Sequence, residues 1–339
     1  VVPVAVEVVG GLGVDVDWAW FPWGCGYFAE HGRMMPADGL DLLGAYDAIL
    51  LGAVGDPAVP DHVSLWGLLI PIRRAFDQYV NLRPVRLLAG VRSPLRDEVA
   101  AGLDLVVVRE NTEGEYSEAG GRLYRGTPHE LAVQEAVFTR RGVERVARYA
   151  FDLARTRRRR LVSATKSNGI VHTMPFWDEV VAAVAAGYPD VEVASRHVDA
   201  LAALLVREPA SFDVIVASNL FGDVLSDLAP ALAGSIGIAP SANLDPTRTH
   251  PSMFEPVHGS APDIAGTGRA NPVGTLWAAV LMLDHLGEQA AAGRLMAGIE
   301  GALAAGVSTP DLGGTATTAE VAAAVAAAAV SSPRSERPR

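Results

Sequence analysis

The sequence predicts an α/β protein with a largely parallel sheet, and three observations carry that expectation: apolar runs closed by turn residues, helix-period stretches alternating with them, and a chain long enough to bury a large core. The runs YDAILLGAVG, LDLVVVREN, RRLVSATKSNG and FDVIVASN read as strands. Strands covered on both faces lose the apolar–polar alternation, and these runs have largely lost it. The stretches 134–156, 174–187 and 273–304 carry helical spacing, and 305–329, with its Ala-rich AEVAAAVAAAAV, reads as a final helix. The last residues, SSPRSERPR at 331–339, are polar and broken by proline, the composition of a disordered tail. In open sheets of this kind ligands gather beyond the carboxyl ends of the strands. Arg109, Glu110, Lys166, Asn168 and Asn219 each stand where a predicted strand has just ended, so one cleft could collect them.

At 339 residues, 50% hydrophobic and 20% charged, the chain has the make-up of one large or two ordinary globular domains. Its formal net charge of −11 opposes general affinity for nucleic acid or for an anionic membrane, both of which need positive surface. An anionic substrate therefore requires a local basic cluster. Cys25 is the only cysteine, which leaves no disulfide within the chain and no thiolate-based metal site, and fits a reducing, cytoplasmic location. No window approaches the ~20 uninterrupted apolar residues of a membrane span, and the opening VVPVAVEVV lacks the basic segment of a secretory signal.

Lys166, in LVSATKSNGI, is the single lysine among 28 lysines and arginines. Arginine supplies charge wherever the chain needs it, but only lysine has a pKa that burial or a neighbouring charge lowers far enough for proton transfer. A lysine kept at a strand end before a glycine-containing turn suits that task; a chance survivor on the surface is the alternative. In VIVASNLFGDVLSDLAPALAG a strand ends near Ser218 and Asn219, which are placed to cap the next helix. Phe221, Val224, Leu225, Leu228 and Leu232 form its apolar stripe. Asp223 and Asp227 lie four apart on the other side, a spacing that serves one hard divalent cation or, equally, a solvated face. Asp199, in RHVDAL, would add a third oxygen, and an all-carboxylate set favours magnesium or manganese over zinc.

Arg73, Arg74, Arg83 and Arg86 in PIRRAFDQYVNLRPVR, with Arg109 in VVVRENTEGEY, suit bidentate recognition of a dicarboxylate, although surface ion pairs would use the same residues. The run RTRRRR at 155–160 reads as a solvated face. The Gly/Pro-rich FEPVHGSAPDIAGTGRANP has the composition of a long functional loop. Its small residues admit close backbone approach, His258 offers a ring for stacking, and Asp263 would accept hydrogen bonds from ribose hydroxyls while repelling a 2′-phosphate. A dinucleotide held there would be NAD rather than NADP.

Taken in order, NLRPVR, VVVRENTEGEYS, SATKSNG, VDAL, SNLFGDVLSDLAPALAGSIGIAPSANL and FEPVHGSAPDIAGTGRANP resemble the β-decarboxylating dehydrogenases, which act on isocitrate, 3-isopropylmalate, D-malate and tartrate. The likeness runs from about residue 1 to 329. It implies an isopropylmalate dehydrogenase-like two-domain fold with a mixed, largely parallel sheet, distinct from the Rossmann type and without its glycine fingerprint. Residues 1–79 plus 235–339 would form a large, discontinuous cofactor-binding domain; 80–234 would form a small substrate, metal and dimerisation domain with an arm near 116–137. The resemblance further implies NAD, Mg²⁺ or Mn²⁺, and a homodimer with shared active sites. By motif position Arg73, Arg83 and Arg109 hold the substrate carboxylates, Asp223 and Asp227 bind metal, and the second subunit contributes Asp199 and catalytic Lys166. Tyr116 matches the family's catalytic tyrosine. Glu255, His258, Gly259, Ser260, Ala261, Asp263 and Asn271 match cofactor-loop positions.

The activity so implied is oxidation and β-decarboxylation of a 2-hydroxy dicarboxylic acid. Gly67 and Leu69 stand where isocitrate enzymes carry serine and asparagine, so a third carboxylate finds no partner. Trp66 stands where isopropylmalate enzymes generally carry an acid. HGRMMPADGL, VPDHVSLWGLL and FDQYVNLRPVRL resemble the D-malate and tartrate branch, and one of those two acids is the expected substrate, with 3-isopropylmalate the alternative. Pro71, inside the same helix, removes a hydrogen bond and is expected to bend it. Family members begin with a strand and a Gly-rich turn ahead of the helix that VVPVAVEVV resembles, and both are absent here. That departure sustains an N-terminally shortened, inactive chain or a non-catalytic ligand-binding subunit as the other class of reading. Intact Lys166, Tyr116, Asp223 and Asp227 favour the enzyme.

Overall fold

Runs of valine, leucine and isoleucine, whose side chains suit a pleated, buried surface, build the sheet. The computed structural model describes residues 1–331; the tail expected to be disordered lies outside the described residues from 332 onward, and Ser331 ends the last helix. In chain order the strands are β1 (Ala48–Leu50), β2 (Val80–Arg86), β3 (Asp104–Glu110), β4 (Gly120–Leu123), β5 (Leu131–Gln134), β6 (Arg160–Thr165), β7 (Glu192–His197), β8 (Val214–Ala217), β9 (Pro240–Leu244) and β10 (Ser252–Pro256). Eight of them form one mixed sheet in the order β1-β10-β9-β2-β3-β8-β6-β7, while β4 and β5 form a separate ribbon. Pairing is parallel for β1–β10, β3–β8, β8–β6 and β6–β7 and antiparallel across the middle of the sheet.

The register places the polar strand ends. Arg109 on β3 pairs with Ala217 on β8, so Arg109 and the residues after Ala217 leave the sheet at one edge. Asn81 opposite Arg109, and Arg83 opposite Val107, bring β2 to the same place from the antiparallel side. Thr165 pairs with His197, which sends Lys166 and Asp199 out from adjoining ends of β6 and β7.

Three apolar clusters hold the fold. The largest packs Phe151, Trp177, Leu205 and Leu225 against β3, β6 and β8. A second joins the chain's two ends, Ala5 and Val9 meeting Leu276, Leu295 and Val325. The third, Met34, Leu43, Leu68, Ile72, Phe76 and Met253, lies behind the helical stretch that carries Arg73.

Several sequence expectations shift in detail. The helix expected over 134–156 begins at Arg140, because Leu131–Gln134 pairs as β5 and Thr139 caps the helix, its Oγ1 accepting from Gly142 N at 3.0 Å. The stretch 273–304 is two helices, Val273–Leu286 and Gln289–Ala304, separated where Gly287 turns left-handed at φ 92°. The final helix is Thr318–Ser331, preceded by loop from 305 with a short 3₁₀ turn at Pro310–Leu312. Val224, expected on an apolar stripe, is 56% exposed, whereas Phe221, Leu225 and Leu232 are buried. The arginine run is exposed as expected, apart from half-buried Arg157, but it is also anchored. Arg157 reaches the buried Asp213 at 2.7 Å and Asp104 at 2.9 Å, and Arg158 N donates to Asp213, tying the start of β6 to β3 and β8.

Candidate active site

The helix Asn219–Leu232 leaves β8 and lies against β3, close enough that a Cβ at Gly222 would stand 2.6 Å from Arg109 Cβ. That contact lets Arg109 read the helix's first turns. Its Nε and Nη2 donate to Asn219 Oδ1 at 3.0 and 2.7 Å, and its Nη1 donates to Asp223. One turn on, Arg83 Nη1 donates to Ser226 Oγ at 2.7 Å and Asp227 Oδ1 at 3.0 Å. Arg73 closes the group from its own helix, donating to Glu255 Oε1 at 2.9 Å. Arg73, Arg83 and Arg109 are only 8, 7 and 2% exposed. All three line one cleft of about 180 Å³, with Leu65, Ile70, Arg74, Asn111, Thr112, Tyr116, Asn219 and Asp223.

Tyr116 is delivered by a loop held through three glutamates. Glu110 accepts from Thr112 N, Thr112 Oγ1 and Glu113 N. Glu113 accepts from Thr139 N and Oγ1. Glu115 accepts from Ser218 Oγ at 2.8 Å and Leu220 N at 3.1 Å, so the helix is capped from this loop rather than by the Ser218 side chain. Tyr116 Oη then donates to Asp223 Oδ2 at 2.7 Å, its ring 5.5 Å from the Arg109 guanidinium. Arg74 Nη2 donates to Tyr116 O at 3.0 Å while its guanidinium lies 5.2 Å from the Trp66 ring.

Charge is tuned by burial and by these pairs. Burial, with Arg83 adding repulsion, brings Arg109 down to about 10, and burial also lowers Arg83. Burial alone would raise Asp223, but Arg109, Arg83 and the Tyr116 hydroxyl outweigh it and hold the carboxyl below its ordinary value. Asp227 goes the other way, raised chiefly by burial despite Arg83. Burial and the bond to Asp223 push Tyr116 up to about 12, so its hydroxyl keeps its proton at neutral pH.

Lys166 and Asp199 stand apart from this cleft. Lys166 Nζ lies 2.8 Å from Asp199 Oδ1, with side chains 30 and 67% exposed, and neither residue lines the cleft. The bond to Lys166 lowers the Asp199 pKa. Among the described residues no group of three or more His, Cys, Asp or Glu could hold a metal ion, so one chain brings Asp223 and Asp227 together without a third carboxylate. As oxygen donors one helical turn apart, those two suit a hard cation once a further oxygen joins them.

A second groove, about 740 Å³, is lined by His258, Gly259, Ser260, Ala261 and Asn271 together with Val1–Pro3, Ser235–Gly237 and Asp311. Asn271 Nδ2 donates to Asp311 Oδ2 at 3.0 Å, and Ser235 Oγ donates to the same oxygen at 2.8 Å. His258 Nε2 is buried with no hydrogen-bond partner among the described residues. A small-residue wall beside an orphaned ring nitrogen fits a ligand with both flat and polar parts, as a dinucleotide has. Asp263 sits on the adjoining 3₁₀ turn Pro262–Ile264 without lining the groove. Glu255 lies elsewhere, at the end of β10, bonded to Arg73 and to Asn243 Nδ2. Arg86 pairs with Glu300 away from the cleft. Sequence reasoning missed Glu115 and Asp311, which no spacing marks, although Glu115 adjoins Tyr116; Arg74, grouped with the candidate arginines, lines the cleft beside Arg73.

A mixed sheet that gathers buried arginines over a two-carboxylate helix suits an acidic ligand, and the isocitrate/isopropylmalate dehydrogenase family matches the chain over residues 4–325, which places it among dehydrogenases. The chain belongs to that family. It is 57% identical over 318 residues to the probable tartrate dehydrogenase/decarboxylase of Bacillus subtilis (strain 168), covering 94% of this chain and 88% of that one. It is 56% identical to the D-malate dehydrogenase (decarboxylating) of Escherichia coli (strain K12), covering 92% and 87%. In structure it is similar to the isocitrate dehydrogenase of Methylococcus capsulatus, with a TM-score of 0.88, 35% identity and coverage of 97% and 95%.

Proposed function

We propose that the chain is an NAD- and divalent-metal-dependent dehydrogenase that oxidises and β-decarboxylates a 2-hydroxy dicarboxylic acid, D-malate or tartrate. The observation that carries this is the convergence of buried Arg73, Arg83 and Arg109 on one small cleft closed by Tyr116 and Asp223. Arg73, Arg83 and Arg109 are paired within the chain to Glu255, Asp227 and Asp223, yet all three line the cleft, where a compact dicarboxylate would meet guanidinium donors suited to bidentate binding. The names of the D-malate and tartrate relatives support the same choice. The cleft takes Arg73 from 1–79 and Arg83, Arg109 and Asp223 from 80–234, which fits a substrate site between two lobes, the first completed by 235–339.

Bound NAD would supply the hydride acceptor, and bound Mg²⁺ or Mn²⁺ the electrophile that draws charge from the substrate oxygens. Asp223 and Asp227, with Asp199 of a second copy, would hold the metal. His258, Gly259, Ser260, Ala261 and Asn271 would line the NAD site, with Asp263 beside them opposing a 2′-phosphate; Glu255 would orient Arg73. The arginines fix both carboxylates. Lys166 of the second copy, in its neutral form, takes the proton from the C2 hydroxyl, and Tyr116 gives a proton to C3 as carbon dioxide leaves. Because Lys166 and Asp199 are 2.8 Å apart, one docking event would bring both. The ribbon exposes Leu123, Leu131 and Val133, and the carboxylate helix exposes Leu220 and Val224, apolar surface that a second copy would cover. NADH formation with D-malate, tartrate and 3-isopropylmalate in Mn²⁺ tests the proposal. Turnover with either of the first two is expected; no NADH with any acid, or preference for the last, overturns it.

A further inference from the structure

The helical stretch carrying Arg73 changes its winding beside the substrate cleft. It runs from Asp61 to Ala75, and across Leu65–Leu69 it is π-helical, Ile70 N donating to Leu65 O five residues back. Two residues favour the wide turn. Pro71 has no N–H to give the Gly67 carbonyl, and in an α-helical turn its ring would collide with that carbonyl. Gly67 lets the widened backbone press on buried Met34, whose Cγ would lie 2.7 Å from any Cβ there.

The consequence is rotational. Residues five apart on an α-helix point about 140° away from each other. Across a π-turn the i→i+5 bond brings them onto one face. Leu65 and Ile70 therefore stand together, and three residues on, Arg73 joins them in lining the cleft. Leu68, Ile72 and Phe76 keep the four-residue spacing of the opposite, buried face.

We infer that Pro71, through this π-turn, determines specificity by pairing Leu65 and Ile70 into an apolar wall beside Arg73 that admits a four-carbon 2-hydroxy dicarboxylate and refuses a branched substituent at C3. This rests on the dehydrogenase reading above and names what its cleft selects. Pro71 acts through Leu65 and Ile70 and is a positioning residue.

The test pairs crystallography of the full-length Pro71→Ala protein with kinetics. The variant regains an N–H, so its structure should show an i→i+4 bond to the Gly67 carbonyl and Ile70 turned out of the cleft. Its kcat/KM for 3-isopropylmalate relative to D-malate should rise about tenfold, the scale of small hydrophobic differences in a pocket. Ile70→Ala should raise the same ratio in the parent and add nothing on top of Pro71→Ala, because both remove one wall. A loss of stability alone would leave that ratio unmoved. A π-turn that persists in Pro71→Ala, an unchanged ratio, or effects of the two substitutions that simply add each overturn the inference. Should the parent reduce NAD with none of the acids, the dehydrogenase reading fails, while the variant's crystal structure still decides whether Pro71 sets the turn.

Discussion

Gly222→Ala sets two ordinary rules against each other. Within a helix, glycine costs about 1 kcal/mol relative to alanine, so the substitution ought to stabilise. Gly222, however, sits where a Cβ would lie 2.6 Å from Arg109 Cβ, 2.7 Å from its Cγ and 3.1 Å from its Cα. None of these atoms is a free side-chain end. Arg109 is on a strand paired on both sides, and its guanidinium is tied to Asn219 and Asp223. Overpacking of this kind costs roughly 1–3 kcal/mol, which exceeds the propensity gain and leaves a net loss of about 1 kcal/mol. Gly293, in the helix Gln289–Ala304, has nothing within 4 Å of its Cβ position and serves as the control, expected to gain most of the ~1 kcal/mol. Urea denaturation of both variants beside the parent should move the midpoints in opposite directions. The Gly222 variant should also lose on the order of 100-fold in kcat/KM, since its helix must carry Asp223 away from Arg109 and Tyr116. Equal upward midpoint shifts would refute the close contact on which the site is built.

Three further outcomes follow from named groups. Lys166→Arg should keep its thermal melt but lose at least ~100-fold in turnover, because arginine has no accessible neutral form; near-normal kcat removes Lys166 from proton transfer. Tyr116→Phe deletes the bond to Asp223 and the proton donor, so NADH should form with less carbon dioxide per NADH; an unchanged ratio discards Tyr116 as donor. Burial lifts Glu110 to about 7 from 4.5, despite its bonds from Thr112 and Glu113. A carboxyl raised on folding stabilises fully below its unfolded value and loses that contribution as pH climbs through the folded one. The parent's Tm should therefore fall between about pH 5 and 8 and Glu110→Gln should flatten the decline, whereas parallel profiles would contradict it.

What the sequence disclosed depended on whether a segment served only the core. β1, β3, β6 and β8 are apolar runs and were legible. β2, β9 and β10 were not, because they carry Asn81, Arg83, Asn243 and Glu255, polar side chains that are hydrogen-bonded behind or beside the cleft and that spoil the strand pattern. Thr139 and Gly287 are small local signals that moved helix ends past longer apolar periodicity. Val224 is apolar yet exposed, as a residue awaiting a partner surface would be. The site residues came from motif order, and the structure gathers Arg73, Arg83, Arg109, Tyr116 and Asp223 in one cleft. Spacing along one chain says nothing about which copy's cleft a residue serves; the resemblance alone assigned Lys166 and Asp199 to a second subunit, and the structure keeps both out of this chain's cleft. The π-turn at Leu65–Leu69 likewise has only Gly67 and Pro71 as its sequence trace.

Mixing two inactive variants tests the shared site most directly. Lys166→Met and Asp223→Asn proteins should each be inactive alone. Unfolded together in equal amounts and refolded, they should regain about one quarter of parental activity, since half the dimers would be mixed and each mixed dimer would hold one site with both residues intact. If each cleft instead used its own chain's lysine, the mixture would stay as inactive as its components.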